Sequence, residues 1–450
     1  MRARLLCVGD MHLGRRPSGL PAELETEHGI ARADLDPRAA WRATVERALD
    51  LEVDALLLAG DVVDSSNQFM EAYGALLEGV RRLVEAGVDV VAVAGNHDVT
   101  TLPRLADELE GFTLLGRGGR WETHVVQRGS EPVVRVLGWS FPTRRVESSP
   151  LDGLPAAWRE GRYEDGAPDE LRTVGLLHCD LDASPSPYAP VASRALAEQS
   201  PMVSAWFLGH VHQPSIRGGG RPLGYLGSLV GLDFGERGAR GPWFARSEPA
   251  SWELDQLVLS PVLFDELEVA VDGCSSVEDL SAAVLRAIQE RAATMASGFE
   301  GVRVVGLRPR LCGRTTLAAE EIRTTAAVLR EQTRLSIEGV LYFVDKLRDD
   351  SLPAVDLEAL AARDDPLALV ARRLLDLQAG GAACEALVAA ARPRFAEVAG
   401  HPNFQRLGAE PPDDATVRAC LLRVAGRALD ELLGQKASSE GPPRVEEIPV

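Results

Sequence analysis

Along residues 1–260, short apolar runs alternate with stretches of helical periodicity. RLLCVG, DALLLAG, VDVVAVAG, VVRVLGW, TVGLLH and AWFLGH are unbroken apolar segments, so each predicts a strand covered on both faces. Between the second and third, NQFMEAYGALLEGVRRLVEAG places Phe69, Tyr73, Leu76, Val80 and Leu83 at helical spacing, and Ala86-Gly87 supplies a stop. Strand, helix, strand predicts an α/β layered domain over residues 1–260.

From residue 261 the pattern changes. FDELEVAVDG reads as a strand, SSVEDLSAAVLRAIQERAATM as a helix and GVRVVGLRPRLCG as another strand. Thr316 is then the expected cap of a helix with Glu320 and Glu321 in its first turn. Together these predict a small α+β domain over residues 261–350. Beyond DDSLPAVD the chain is helical over residues 351–433, with Leu367, Val370, Leu374 and Leu377 on one face and Val417, Leu421, Val424 and Ala428 on another. Those faces can pack on each other or dock a partner. GQKASSEGPPRVEEIPV predicts a disordered tail over residues 434–450.

Composition narrows the partners. A chain of 450 residues that is 45% hydrophobic and 26% charged has material for two or three domains. Its net charge of −19 excludes an embrace of nucleic acid by the whole surface and leaves a local basic groove or a basic partner. The only lysines, Lys346 and Lys436, do not fall in a G-x-x-x-x-G-K-S/T pattern, so no P-loop ATPase is encoded here. Cys7, Cys179, Cys274, Cys312, Cys384 and Cys420 are widely spaced without a CxxC pair, as expected of reduced structural thiols. No run reaches the roughly 18 apolar residues of a membrane span, and MRARLLCVGD lacks the apolar stretch of a leader. The expectation is a soluble, cytoplasmic protein with no membrane partner.

The candidate chemistry sits where apolar runs end. Asp10 and His12 in GDMH, Asp61 in AGDVVD, Asn96 and His97 in AGNHD, His178 in LLHCD, and His210 with His212 in GHVH each follow such a run. Ligands of α/β sheets gather at the carboxyl ends of strands, so these clusters can converge. Carboxylate, carboxamide and imidazole without thiolate suit manganese, iron or zinc. They are too many for one ion. Two ions roughly 3.5–4 Å apart, sharing a carboxylate, would clamp a phosphoryl group for in-line displacement. Any one of these histidines alone reads as structural; their joint occurrence after successive strands does not. His28, His124 and His401 lack that context and read as ordinary.

In this order, DxH, GDxxD, GNHD, a lone His and GHxH resemble the calcineurin-like metallophosphoesterase superfamily. MHLG, GDVVDSS, AGNHD and GSLVGLDFGE are most similar to DNA repair exonuclease subunits of the SbcD type and their YhaO-like relatives. The resemblance covers residues 1–260 and extends through VRVVGLRPRLCGRTTL, which looks like those proteins' capping domain. It implies a layered β-sandwich metallophosphoesterase domain flanked by helices, then the small α+β capping domain and a helical C-terminal region.

The same resemblance implies a two-metal-ion phosphodiesterase, a DNA exonuclease or endonuclease subunit of a double-strand-break repair complex. Asp10, His12, Asp61 and His212 would hold one ion, and Asp61, Asn96, His178 and His210 the other, with Asp61 bridging. The ions would be Mn2+, with Fe2+ or Zn2+ as alternatives. His97 would protonate or orient the leaving oxygen, a duty that suits imidazole. DNA, a coiled-coil ATPase subunit and a second copy of the chain are the implied partners. Arg15 and Arg16 are candidate DNA-backbone contacts, as are Arg144 and Arg145, although solvated arginine pairs read equally well. The chain departs from the pattern at two places. Ser65 and Ser66 stand where phosphomonoesterase branches carry an arginine, which weakens a protein-phosphatase reading, and Asp64 stands where some repair nucleases carry a histidine. Two alternatives remain: a phosphodiesterase of small nucleotides or lipid-linked substrates, and a non-catalytic scaffold for DNA or an ATPase. The chain beyond residue 260 speaks against the first, the intact ligand set against the second.

Overall fold

The apolar runs form strands whose alternate side chains enter two different cores. The structure, a computed structural model, describes residues 2–64, 69–199, 202–295, 298–299, 301–399 and 412–439. Ser65, Ser66 and His401 lie outside the described residues, as do positions 440–450 of the expected tail. By their contacts the described residues divide into one unit from 1–265, 294–306 and 336–343, and another from 266–293, 307–335 and 344–450.

The strands of the first unit are, in chain order, β1 (Arg4–Val8), β2 (Ala55–Ala59), β3 (Asp89–Val93), β4 (Phe112–Leu114), β5 (Trp121–Arg128), β6 (Glu131–Trp139), β7 (Thr173–His178), β8 (Asp180–Leu181), β9 (Pro190–Val191), β10 (Val203–Gly209), β11 (Leu223–Tyr225), β12 (Trp243–Ser247) and β13 (Trp252–Gln256). One sheet has the order β13-β12-β1-β2-β3-β4 and a second β11-β10-β7-β6-β5; β8 pairs with β9 apart from both. β1 to β4 are mutually parallel, and so are β6, β7, β10 and β11.

Strand periodicity explains why the runs are apolar throughout. Leu5, Cys7, Leu57, Val91 and Val93 pack with Val134, Val136, Leu176 and Phe207 of the second sheet, forming the core between the sheets. The intervening Leu6, Val8, Leu56, Leu58 and Val90 pack with Trp41, Val45, Leu76, Val80 and Leu83 of helices Pro37–Asp50 and Phe69–Glu85. On the outer face of the second sheet, Leu137, Leu177, Trp206 and Leu208 meet Leu151, Leu154 and Leu196. The result is a sandwich of two sheets with helices on its flanks, in agreement with the expected fold class. Residues 294–306 and 336–343 belong with this unit because Val304, Leu341 and Phe343 bury Leu24, Leu35, Phe234 and Phe264.

A further sheet runs in the order Val262–Ala270, Val304–Cys312, Val340–Val344, Arg334–Ile337. The second unit contains helix Ala319–Gln332, which is not capped by Thr316 as expected. Ala318 is the cap residue, and its N–H donates to the Glu321 carboxylate at 2.8 Å, so the acidic first turn supplies the missing acceptor. Asp356 and Asp365 cap helices Leu357–Ala361 and Pro366–Ala379 through the N–H groups of Ala359 and Ala368, at 2.9 and 3.0 Å. Gly380 and Gly381, with φ of 75° and 73°, turn the chain into helix Gly381–Ala399. The last helix, Asp414–Ser439, is continuous past residue 434, where a tail was expected. Two faces of it are covered: Val417, fully buried, and Leu421 pack with Leu377, Cys384 and Val388, as the expected face implies, and Leu422, Ala425 and Leu429 pack around Leu367, Ala371 and Leu374, while Val424, expected on the first face, is 58% exposed. Among the described residues no single helix is long and apolar enough to cross a membrane.

Candidate metal centre

Because β1, β2 and β3 are parallel, the loops after them carry Asp10 with His12, Asp61, and Asn96 with His97 to one edge of the first sheet. β7 and β10 are also parallel, with Gly209 in register with His178, and bring His178, His210 and His212 to the corresponding edge of the second. Glycine precedes four of the five loops, at Gly9, Gly60, Gly95 and Gly209, because the strand ends crowd one another. A Cβ on Gly209 would lie 2.1 Å from the Ala59 carbonyl oxygen, and one on Gly95 would lie 2.1 Å from Asp61 Oδ1. The sharp exits put three non-glycine residues in positive-φ conformations: His12 at 48°, Asp61 at 47° and His210 at 106°. Such strain persists only where the surroundings enforce it, and it concentrates at functional sites.

Asp61 lies at the centre. Its Oδ1 accepts the His97 amide N–H at 2.9 Å, while Oδ2 stands 3.5 Å from His178 Nε2 and 3.9 Å from His12 Nε2. Burial opposes its ionisation, but the imidazoles of His178, His12 and His97 outweigh that and hold the carboxyl below its ordinary value. Asp10 accepts the His210 amide N–H at 2.9 and 3.1 Å, tying the first sheet edge to the second. Asp10, His12 and His212 form one group of atoms within 4.8 Å of one another; Asp10, Asp61 and His178 form a second, and His12, Asp64 and His97 a third.

The ring tautomers follow from the partners on the far side of each imidazole. His178 Nδ1 is 3.0 Å from the Ala59 carbonyl oxygen, which can only accept, so Nδ1 carries the proton and Nε2 is an acceptor. That Nε2 faces another acceptor, Asn96 Oδ1, at 3.0 Å. His212 Nδ1 is 2.6 Å from the Glu236 carboxylate, so Nδ1 carries a proton and Nε2 is left as the ligating atom of the neutral ring; it faces His12 Nε2 at 3.0 Å. His12 Nδ1 in turn lies 3.1 Å from Asp64 Oδ1, within ion-pair distance although without hydrogen-bond geometry. Two acceptors thus meet at His178 and Asn96, and two ring nitrogens meet at His12 and His212, one place on each side of Asp61 Oδ2. Divalent cations satisfy such a set, and its oxygen and imidazole composition fits manganese, iron or zinc.

His210 is the expected ligand that these groups leave out. Its Nε2 pairs with Asp180 Oδ1 at 3.0 Å, which leaves Nδ1 as its ligating atom, and its ring stands edge-on to His178 with centroids 5.1 Å apart. Burial disfavours the charged imidazole, yet Asp180 raises its pKa above the ordinary value. His97 is exposed, and its Nδ1 is held 2.9 Å from the Asp64 carbonyl oxygen, so Nε2 is the atom free to exchange a proton. Arg15 is half-buried, close enough for its charge to act on Asp64 and His212; Arg16 is exposed. His124 instead pairs with Asp89 at 2.9 Å and joins none of the three groups.

Three carboxylates with defined roles, Asp98, Asp180 and Glu236, escaped the sequence reading, and Asp64, noted there only as a departure from the pattern, acquires one. Asp98, fully buried, accepts from the N–H groups of Val62 at 2.7 Å, Val63 at 3.3 Å and Gly95 at 2.8 Å, locking the loop after β2 to the loop after β3. Burial and the neighbouring Asp61 push its carboxyl well above the ordinary range, against those three donors. Asp64 flanks His12, and Asp180 flanks His210. Both follow a motif residue closely, a signal that spacing could have yielded. Glu236 lies 24 residues from His212 and carried no such signal. A groove of about 580 Å³ beside Trp41 and Met70 contains none of these residues.

Comparison with known proteins agrees with this geometry. Residues 3–214 match the calcineurin-like phosphoesterase family, and residues 264–351 match the middle domain of metallophosphoesterase YhaO. The chain is 32% identical over 222 residues to the DNA double-strand break repair protein Mre11 of Aeropyrum pernix, covering 48% of this chain and 50% of that protein. It is 26% identical to the uncharacterized metallophosphoesterase YhaO of Bacillus subtilis, covering 47% and 50%, and 27% identical to the D component of the nuclease SbcCD of Escherichia coli K12, covering 52% and 62%. The matches therefore span about half of the first two relatives' length.

Proposed function

We infer, for a chain whose residues 3–214 are a calcineurin-like phosphoesterase domain followed by a YhaO-type middle domain over residues 264–351, that this cluster binds two divalent ions and hydrolyses phosphodiesters, with DNA as the substrate. The observation that carries the reading is the convergence of two sets of potential ligand atoms, His178 with Asn96 and His12 with His212, on either side of Asp61 Oδ2. Asp10, His12, Asp61 and His212 would hold one ion; Asp61, Asn96, His178 and His210 the other. Two such ions, when bound, activate water and neutralise charge on the phosphoryl group. Asp98 keeps Asp61 in the shared position by tying the backbone just after it, at Val62 and Val63, to Gly95 of the neighbouring loop. His97, with Nδ1 engaged by the Asp64 carbonyl, offers Nε2 at the exposed mouth, where it can deliver a proton to a departing oxygen.

Similarity to a DNA double-strand break repair protein and to a nuclease component supports nuclease work in such repair, and the oxygen and imidazole ligand set is the ground for Mn2+ as the ion used. A coiled-coil ATPase docked on the C-terminal helices would also supply phosphate-binding surface that a chain of net charge −19 lacks. Arg15 and Arg16 are the proposed contacts to the DNA backbone. The test is metal analysis joined to an assay of end-labelled duplex and hairpin DNA beside a panel of nucleotide phosphodiesters. Wild type should bind two Mn2+ per chain and cleave DNA, and Asp61→Ala should lose both ions. Firm retention of one ion by Asp61→Ala would contradict the bridging role, and cleavage confined to small phosphodiesters would exclude the nuclease.

A further inference from the structure

Glu236 belongs to neither proposed ligand set, yet it is 8% exposed and makes the shortest polar contact of any cluster imidazole. Its Oε1 faces His212 Nδ1 at 2.6 Å. Its Oε2 accepts from Ser228 Oγ at 2.7 Å and from the Leu232 N–H at 3.3 Å, so the carboxylate cannot turn away from the ring. The support closes on itself, because the Ser228 N–H donates to the His212 carbonyl oxygen at 3.0 Å. A chain of contacts thus runs from the His212 backbone through Ser228 and Glu236 to the far nitrogen of the same ring.

This loop settles two properties of His212 that its own strand end cannot. The carboxylate has no proton to give, so Nδ1 must carry one, and in the neutral ring Nε2 then presents the lone pair. The contact also fixes rotation of the ring, aiming that lone pair at the space shared with Asp10 and His12. Without it, a half-buried imidazole at the end of a loop would sample both tautomers and both ring orientations. We propose that Glu236 is the positioning residue of His212, holding its tautomer and aim for the ion shared with Asp10 and His12. The inference rests on the metal-binding reading above.

Two measurements separate it from a packing role. In metal-free protein with 15N-labelled imidazoles, long-range 1H–15N spectra report each ring's tautomer, and His212→Gln identifies the His212 signals. Wild type should show the Nδ1–H form, and Glu236→Ala should lose it. In Mn2+ titrations, Glu236→Ala should weaken one of the two sites by roughly the 10- to 100-fold typical of a lost ligand-orienting partner, leaving the other within about twofold. Glu236→Gln keeps an acceptor for Nδ1–H and should recover part of the loss, and it serves as the informative variant if Glu236→Ala does not fold. A folded Glu236→Ala protein with an unchanged His212 tautomer and two wild-type Mn2+ affinities would overturn the proposal. Wild type that binds no Mn2+ would overturn the metal-binding reading instead, while the metal-free spectra still decide the link between Glu236 and His212.

Discussion

Replacing Gly95 with alanine adds one methyl group at the closest approach of two strand ends. The new Cβ would lie 2.1 Å from Asp61 Oδ1 and 2.6 Å from the Asp61 amide nitrogen. Ordinary contact begins at ~3.5 Å, so the overlap with the carboxylate is about 1.4 Å. Neither partner can yield cheaply: the nitrogen is backbone, and the carboxylate oxygen is held by the His97 N–H at 2.9 Å. Overpacking of this kind costs ~1–3 kcal/mol, which at ~2–4 °C per kcal/mol lowers the melting temperature by roughly 2–12 °C. The larger effect falls on activity, because a displacement of about 1 Å in a reacting group can cost ~100-fold. Gly74→Ala is the matched control. It lies on an exposed face of helix Phe69–Glu85 with nothing within 4 Å of its added Cβ, and should leave activity unchanged while stabilising by up to ~1 kcal/mol. Calorimetry, Mn2+ content and hydrolysis of a chromogenic phosphodiester would be compared across the three proteins. A Gly95→Ala protein that melts within about 1 °C of wild type, binds both ions and turns over at the wild-type rate would refute the reasoning.

His97→Ala should keep two ions per chain while hydrolysis falls by roughly 10²- to 10⁴-fold, as metal analysis and turnover would show; loss of metal would make His97 a ligand. Asp165 gives a pH dependence remote from the centre. Burial opposes its ionisation, but the buried Arg135 guanidinium, bonded through Nε at 2.5 Å and a terminal nitrogen at 3.0 Å, holds its carboxyl below the ordinary value. A depressed carboxylate contributes stability that is present above the unfolded pKa, ~3.9, and is lost as pH falls through the folded value. Denaturant titrations should therefore show wild type losing stability below about pH 4, with a shallower loss in Asp165→Asn. At pH 7 that variant should already be weaker by ~1.5–3 kcal/mol, since Arg135 loses its counter-charge and keeps the Leu171 and Pro168 carbonyls and the Thr173 hydroxyl as its other acceptors. Equal acid slopes in the two proteins would remove Asp165 as a source of acid lability.

Much of the sandwich was legible because its strands are covered on both faces. A run such as RLLCVG needs no knowledge of its neighbours to be apolar at every position, and the residue that ends it can be read as leaving the sheet. The chemistry was legible for the same reason: each polar cluster interrupts an apolar run, which marks Asp10, Asp61, Asn96, His178 and His210 before any fold is known. The helical region was less so. Val417, Leu421 and Val424 lie at helical spacing, and so do Leu422, Ala425 and Leu429; helix Gly381–Ala399 buries Val417 and Leu421, helix Pro366–Ala379 covers the second set, and Val424 is left exposed.

What tertiary structure alone decided is how each ligand candidate is held. The alternation of strands and helices implies that β1, β2 and β3 run parallel, but not that Gly95 meets Asp61 or Gly209 meets Ala59, because those contacts join loops from different strands. Tautomer and aim of an imidazole depend on what touches its far nitrogen. For His178 that is the carbonyl of Ala59, and for His212 it is Glu236. Neither partner is near in sequence, since a local pattern records which side chains can bind a metal but not the long-range contacts that orient them. The residue types were therefore written in the chain, while their protonation and direction came from the closure of two sheet edges upon each other.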